Sequence, residues 1–417
     1  MNSKERVLTI LDHKEPDRVP VGEWGIDYDI VQKVLGRETF WRAKAKTTRA
    51  LWEGRRDEVV ESFKKDIVEL VVKLDHDLVP VHLVPPKGYE PPKVERIDEM
   101  TWKEESGRIW KYSAGNDALL PVGEPARFFD SKDQLREYFE TKVVPRCGLR
   151  ITGKTGDSYQ LALDDESRLD LIRYVVEKLG DEKFIFARGF EEALGSPEPL
   201  FFSEFEAISL FFGIGMEDFL LAAAMNPVLA EEAFRLYSEL ALAMANVFIR
   251  EGVDAIMPQG DFANAGGPMI APEQIKRIFL PGMKKVCDYG HQERVKVFTH
   301  NCGNNWKILG LLLEAGYDCW QSIQIKTAEM ELGRLKSEYG SRLSFWGGIA
   351  LETLIEGSPK DVQEEVRESL RIGASGGGFI LGTSNSVAFG SKYDNYMMAM
   401  ETLHEYGRYP IKGGYPS

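Results

Sequence analysis

The chain has 417 residues, enough for two to three average domains or one large barrel, and its 43% hydrophobic, 11% aromatic and 28% charged residues exclude a disordered or collagen-like protein. With 52 Lys and Arg against 66 Asp and Glu the net charge is −14, so a phosphate backbone or an anionic lipid surface meets a repulsive mean field and nucleic acid is not an expected partner. Four cysteines (Cys147, Cys287, Cys302, Cys319) are too sparse for a disulfide framework and fit a reducing cytoplasm.

Residues 1–20 carry charges every few positions instead of the apolar core of a secretory signal, and the longest uninterrupted apolar run, residues 219–225, is too short to span a bilayer. A soluble cytoplasmic protein is expected. In chain order, strands are expected at residues 19–24 (VPVGEW), 78–84 (LVPVHLV) and 183–189 (KFIFARG). Between the second and third, residues 85–92 (PPKGYEPP) form a stiff connector, and residues 100–113 alternate like a β-hairpin turning at Ser106-Gly107. An insertion is therefore placed around residues 85–150.

The second half alternates short β-branched or aromatic runs with helical patterns, the signature of βα units on a parallel sheet. The runs are residues 254–258 (DAIMP), 295–300 (VKVFTH), 318–323 (DCWQSI), 343–348 (LSFWGG) and 377–382 (GGFILG). Ser358-Pro359 supplies a helix N-cap and a first-turn proline, Val362, Val366 and Leu370 recur every four residues, and Gly373 stands where a glycine would end the helix. Asn304 or Asn305 and Gly316 bracket another helix. Three strands plus five make eight, so the expected architecture is a single (β/α)8 TIM barrel over residues 1–417, with an N-terminal extension and the hairpin insertion. A doubly wound open sheet would want a glycine fingerprint after its first strand, and Gly22-Glu23-Trp24-Gly25 is not one.

In such a barrel the active site lies at the carboxyl ends of the strands. The polar residues there are Glu23 and Asp27, His82, Arg188, Gln259 and Asp261, His300 and Cys302, Gln321 and Gln324, and Ser384 and Asn385. The sharpest signal is His300-Asn301-Cys302. Two residues apart at a strand's end, an imidazole and a thiol can point to one side, and zinc takes both, although a catalytic site needs a third protein ligand. A hydrogen-bonded histidine beside a small buried thiol is the rival reading of those residues. Asp261 is read as catalytic, orienting a substrate or a metal, against a turn cap. Glu23 is read as a general acid or metal ligand, against an ion pair at the barrel mouth. Arg188, Gln259, Trp346 and Asn385 are read as substrate-binding, with an interior salt bridge the rival for Arg188 and barrel packing the rival for Trp346. His82 and Cys319 read as core, and the run Gly376-Gly377-Gly378 precedes its strand, so it reads as tight packing rather than a phosphate cradle.

The order of motifs resembles the uroporphyrinogen decarboxylase superfamily, which includes corrinoid-dependent and coenzyme M methyltransferases. The resemblance rests on Arg6-Val7, Pro16-Asp17-Arg18-Val19-Pro20, Gly260-Asp261, Gly267-Pro268, His300-Asn301-Cys302-Gly303, Glu314-Ala315-Gly316, Trp346-Gly347-Gly348-Ile349, Gly377 to Leu381 and Asn395. It implies a (β/α)8 barrel. Its methyltransferase branch implies zinc on His300 and Cys302 with a later cysteine as third ligand, but no cysteine follows Cys319, which leaves Glu23, Asp261 or Asn385 as candidates. The decarboxylase branch implies an arginine-rich segment after the first strand, and residues 25–33 (GIDYDIVQK) contain none. The expected function is a methyltransferase that moves a methyl group between a small methylated compound and a thiol or a corrinoid protein, cobalamin being carried by that partner. The alternatives are a metal-independent decarboxylase and a catalytically inactive partner subunit.

Overall fold

A computed structural model describes residues 1–122, 129–188, 224, 226–258 and 260–411. In chain order its strands are β1 (Leu78–Val81), β2 (Val94–Arg96), β3 (Thr101–Glu104), β4 (Ile109–Ser113), β5 (Ala118–Val122), β6 (Leu149–Thr155), β7 (Ser158–Leu163), β8 (Phe184–Arg188), β9 (Ala255–Met257), β10 (Ala263–Asn264), β11 (Gly267–Pro268), β12 (Lys296–His300), β13 (Cys319–Ile323), β14 (Ser344–Ile349) and β15 (Phe379–Thr383). Seven of them form one parallel sheet in the order β1-β8-β9-β12-β13-β14-β15, with helices in the connections. The alternation of strand and helix read from the sequence is thus a TIM-barrel-like α/β fold.

The strand expected at residues 19–24 is reduced to a seam. Val21 makes a single parallel bridge to Leu381, the Leu381 N–H donates to the Pro20 carbonyl at 2.9 Å, and the Asp77 N–H donates to the Val21 carbonyl at 2.7 Å, so this segment joins β15 to the start of β1. It stays short because a side chain takes the place of a strand partner: the Asp77 carboxylate accepts the Val21 N–H at 2.8 Å. That carboxylate is fully buried and held by Arg6 and Arg18, each at 2.6 Å, while Arg6 also pairs with Asp17 at 2.8 Å. The Arg6 and Pro16-Asp17-Arg18 motifs are therefore a charged clamp on the seam.

Strand residues alternate between two apolar layers, as period-2 geometry requires. Leu78, Phe186, Met257, Phe298, Trp346 and Ile380 fill the barrel interior with Trp24. Val79, Ile185, Ile256, Val297, Phe345 and Leu381 face the helices. Val7, Ile10 and Leu11 of the first helix, Ser3–Leu11, join the interior layer and plug the barrel at one end.

The expected hairpin exists as β3–β4, with Gly107 at φ 93° in its turn, but it belongs to a four-stranded antiparallel sheet, β2-β3-β4-β5. A second hairpin, β6–β7, turns at Gly156-Asp157, a two-residue turn signal that no expected strand pair had claimed. Ser358 caps its helix through Asp361 and Gly316 ends its helix in the left-handed region, both as expected. Gly373 is instead the last residue of the helix Pro359–Gly373, where an added Cβ would lie 2.8 Å from the Phe379 ring; close packing, not capping, requires the glycine. Gly377 and Gly378 likewise sit against the His13-Lys14 backbone and the His13 ring, so these two glycines are packing, whereas Gly376 faces open space and is favoured only by its φ of 75°. Among the described residues no helix is long and apolar enough to cross a membrane.

Candidate metal centre

His300 is the last residue of β12 and shares its face with Phe298, which fixes its side chain toward the barrel interior. Cys302 follows two residues later on the loop, and Asp261 enters from the loop after β9. Their ligand atoms, Asp261 Oδ, His300 Nε2 and Cys302 Sγ, all lie within 4.8 Å of one another, the one such His, Cys, Asp and Glu group among the described residues. Asp261 Oδ1 stands 3.6 Å from His300 Nε2 and accepts from Cys302 Sγ at 3.0 Å and from the Cys302 N–H at 2.9 Å, while Sγ and Nε2 are 3.8 Å apart.

Two loops must interlock to make this group. The Gly260 N–H donates to the His300 carbonyl at 2.8 Å, and Asn301 Oδ1 accepts the Phe262 N–H at 3.2 Å. An added Cβ on Gly260 would lie 2.2 Å from Asn301 Oδ1, and one on Gly303 would lie 2.5 Å from the Ala263 carbonyl, so only glycine permits the approach at either position. Asp261 holds φ 49°, a left-handed conformation that Asp tolerates better than most residues. Asn305 Nδ2 donates to the carbonyls of Asn301, Cys302 and Gly303, tying down the turn that carries the thiol.

Trp24 forms one wall. Its ring stacks on His300 at 5.0 Å between centroids, and the guanidinium groups of Arg188 and Arg42 lie 4.8 and 5.1 Å from its centroid. Arg188 ends β8, is 3% exposed and donates to the Trp24 carbonyl at 3.1 Å. Sequence reasoning missed Arg42, which comes from the turn before the helix Lys44–Trp52 and binds Asp27 at 2.8 Å. Lys44 binds the other oxygen of Asp27 at 2.6 Å. Burial pushes the Asp27 carboxyl up, but the two cations overcome it and hold it below the usual range. Asp27 is thus an ion-pair anchor at the mouth.

Two expected site residues sit elsewhere. Glu23 has the strand parity of Val21, and Thr383 that of Leu381, so both point outward. There Thr383 donates to Glu23 Oε2 through its N–H at 3.0 Å and its hydroxyl at 2.6 Å, and Tyr396 of the helix Tyr393–Tyr406 lies buried beside it. Glu23 is therefore not in the interior cluster, because a one-residue step along a strand reverses the face. Trp346 is an interior packing residue, fully buried against Phe186 at 5.2 Å between centroids, with its indole N–H donating to the Gly22 carbonyl at 2.9 Å. Its polar atom is satisfied by backbone, which leaves nothing to address to a substrate.

Gln321 lies one strand over from His300, paired with it in the β12–β13 register, and its amide oxygen meets His300 Nδ1. Asn385 is half-buried nearby, its carbonyl accepting from Gln321 Nε2 at 3.5 Å and its own side-chain oxygen accepting the Ser386 N–H at 2.8 Å. Gln259 lies outside the described residues. His82 bonds the Leu83 carbonyl at 2.8 Å and stacks on Trp41, and Cys319 belongs to the interior layer with its thiol pushed up by burial, so both are core as read.

Residues 207–406 match the family model described as uroporphyrinogen decarboxylase. Across 97% of this chain and 99% of the other, the fold is similar to that of a methyltransferase from Methanosarcina mazei, with a TM-score of 0.62 and 16% sequence identity. A D-psicose 3-epimerase from Clostridium cellulolyticum H10, solved with D-tagatose, aligns over 56% of this chain and 91% of its own at a TM-score of 0.33 and 12% identity, too distant to add to the comparison. No curated protein matches the chain.

Proposed function

Starting from a chain that carries a uroporphyrinogen decarboxylase family domain at residues 207–406, we propose that it is a methyltransferase that moves a methyl group between a small methylated substrate and a corrinoid protein or thiol. The observation that carries this reading is the convergence of Asp261, His300 and Cys302 at the carboxyl end of the barrel. The donor set fits zinc: one nitrogen, one sulfur and one carboxylate oxygen, three ligands that leave a fourth position for substrate. Asp261 takes the place of the third cysteine that the sequence lacks. The likeness in fold to a methyltransferase from Methanosarcina mazei supports the same class.

Zinc held by these three residues supplies a Lewis acid at the oxygen or sulfur that exchanges the methyl group. The chain's own residues do the rest. Trp24 closes one side of His300 against water, and Arg188 and Arg42 bring positive charge to the same wall. An anionic portion of a substrate is favoured there. Asn385, on the turn after β15, and Gln259, outside the described residues, remain the proposed polar contacts to substrate. Cobalamin, where used, belongs to the partner, since the sequence has no corrinoid-binding Asp-x-His-x-x-Gly motif. Among the described residues no cysteine is in a disulfide, consistent with the cytoplasmic location we assign.

The test is metal content. Protein purified without added metal is expected to carry near-stoichiometric zinc, and an Asp261→Ala/His300→Ala/Cys302→Ser variant prepared identically none. Wild-type protein that stays metal-free and cannot be loaded with zinc overturns the reading. The two guanidinium groups on Trp24 favour one alternative, a decarboxylase that binds its substrate's carboxylates there, with Asp261 stabilising a protonated intermediate; its mark is CO2 release undiminished by chelators.

A further inference from the structure

We infer that Gln321 is a positioning residue that sets the tautomer of His300, and so decides which imidazole nitrogen is offered to the metal. This deepens the reading above and rests on it only for the identity of what binds.

The argument is a chain of donors and acceptors. The Gln321 amide nitrogen donates to two backbone carbonyls, those of Thr383 and Asn385, each at 3.5 Å. With the amide reversed, its oxygen would face two carbonyl oxygens, so β15 and the turn after it fix which way the amide points. Its oxygen then faces His300 Nδ1. A carbonyl oxygen only accepts, which requires Nδ1 to carry the hydrogen and leaves the lone pair on Nε2. Nε2 is the nitrogen that stands 3.6 Å from Asp261 Oδ1 and 3.8 Å from Cys302 Sγ. Trp24, stacked on the ring at 5.0 Å, restrains its tilt but cannot choose between the nitrogens.

Gln321 can be rigid because of where it sits. Its side chain is fully buried and shares the interior face of β13 with Cys319, two residues before it. Directly after it the register shifts between Gln321 and Ile323, and Ser322 takes φ 95° while its hydroxyl donates to the Ser384 carbonyl. This bulge ties β13 to the turn beyond β15, the same turn whose Asn385 carbonyl receives the Gln321 amide.

The experiment uses full-length protein labelled with ¹⁵N-histidine. In wild-type protein freed of metal, the long-range ¹H–¹⁵N pattern of His300, assigned by its absence in His300→Ala, is expected to report the Nδ1–H form. In Gln321→Met, which keeps the volume and removes the acceptor, that pattern is expected to give way to the Nε2–H form or a mixture, with zinc affinity from chelator competition weakened 10- to 100-fold. Gln321→Glu, protonated in this fully buried position, keeps a carbonyl oxygen toward Nδ1 and an O–H toward the Thr383 and Asn385 carbonyls, and is expected to retain the Nδ1–H pattern with zinc affinity within a few-fold of wild type. Should Gln321→Met fail to fold, Gln321→Asn withdraws the acceptor by one methylene with little change in polarity and is expected to behave as Gln321→Met does. A variant without the Gln321 acceptor that keeps both the Nδ1–H pattern and wild-type zinc affinity overturns the inference. A wild-type protein that has the Nδ1–H pattern yet binds no zinc overturns the metal reading and leaves the tautomer assignment standing.

Discussion

Glu23 and Thr383 are joined across the barrel seam by two hydrogen bonds to a single carboxylate oxygen, and the other oxygen, Oε1, is buried without a hydrogen bond. Complete burial pushes the Glu23 carboxyl up to about 8 against the pull of those two bonds and of Tyr396, which makes it a neutral acid at neutral pH. In the unfolded chain the same group ionises near 4.5. Between these values the folded protein keeps a proton that the unfolded chain has released, so the stabilisation is complete below about 4.5 and is lost as pH rises toward about 8. Glu23→Gln, which has no proton to lose, is expected to gain on the wild type over this window by on the order of a few kcal/mol. Urea midpoints of both proteins at pH 5 and pH 8.5 check it, and an offset that does not change with pH would rule out a neutral buried carboxyl. Because Glu23 faces the helices, zinc binding is expected to survive the substitution.

Trp346 provides a second check on which residues belong to the site. Replacing it with Phe removes the N–H bonded to the Gly22 carbonyl and part of a close-packed ring; an added Cβ on Gly382 would lie only 2.4 Å from the indole nitrogen. The expected cost is about 2–4 kcal/mol of stability from the orphaned carbonyl and the cavity together, measured by denaturation. Metal content is expected to stay at the wild-type level. Zinc loss in a folded Trp346→Phe protein would return this residue to the site.

The interlocked loops predict a different pattern for Gly260→Ala. The new methyl group displaces Asn301, whose amide oxygen holds the Phe262 N–H and whose amide nitrogen donates to Thr299 Oγ1 at 2.7 Å. A loss of about 2–3 kcal/mol is expected, with zinc affinity falling alongside because Asp261 and Cys302 are carried by the two loops that separate. Isothermal titration of zinc into the folded variant decides it: unchanged affinity would show that the loops can part without disturbing the ligands.

The barrel was legible because its strands are short apolar runs buried on both faces, each followed by a helix pattern; β12, β13, β14 and β15 begin and end within two residues of the positions read from the sequence. The seam at Val21 was not legible as such, since an Asp77 side chain fifty-six residues away stands in for a strand partner. His300 and Cys302 could be read because a spacing of two at a strand's end gives one direction. The face of Glu23 could have been read in the same way from the alternation with Trp24, but the residue type drew the assignment instead. Arg42 left no local signal, for it reaches Trp24 only through the turn that the Asp27 pair creates. Gln321 was visible only as a polar residue at a strand's end; its partner became evident once β12 and β13 were placed in register.

Asp261 as third ligand leads to the sharpest chemical prediction. Asp261→Cys would convert the nitrogen, sulfur and oxygen set into one nitrogen and two sulfurs, and softer ligands favour softer metals. Relative affinity for cadmium over zinc is expected to rise about tenfold or more, with a stronger thiolate-to-cadmium charge-transfer band than in the wild type, measured under reducing conditions so that the two thiols stay reduced. The φ of 49° at this position costs a cysteine about 1 kcal/mol that Asp largely avoids, a penalty too small to unfold the chain. Asp261→Asn is the control, since an amide oxygen is a weaker ligand than a carboxylate and a loss of zinc affinity is expected. If Asp261→Cys leaves the metal preference where it was and Asp261→Asn binds zinc as the wild type does, the carboxylate is no ligand. Its contact with Cys302 would then be a hydrogen bond that only holds the loop.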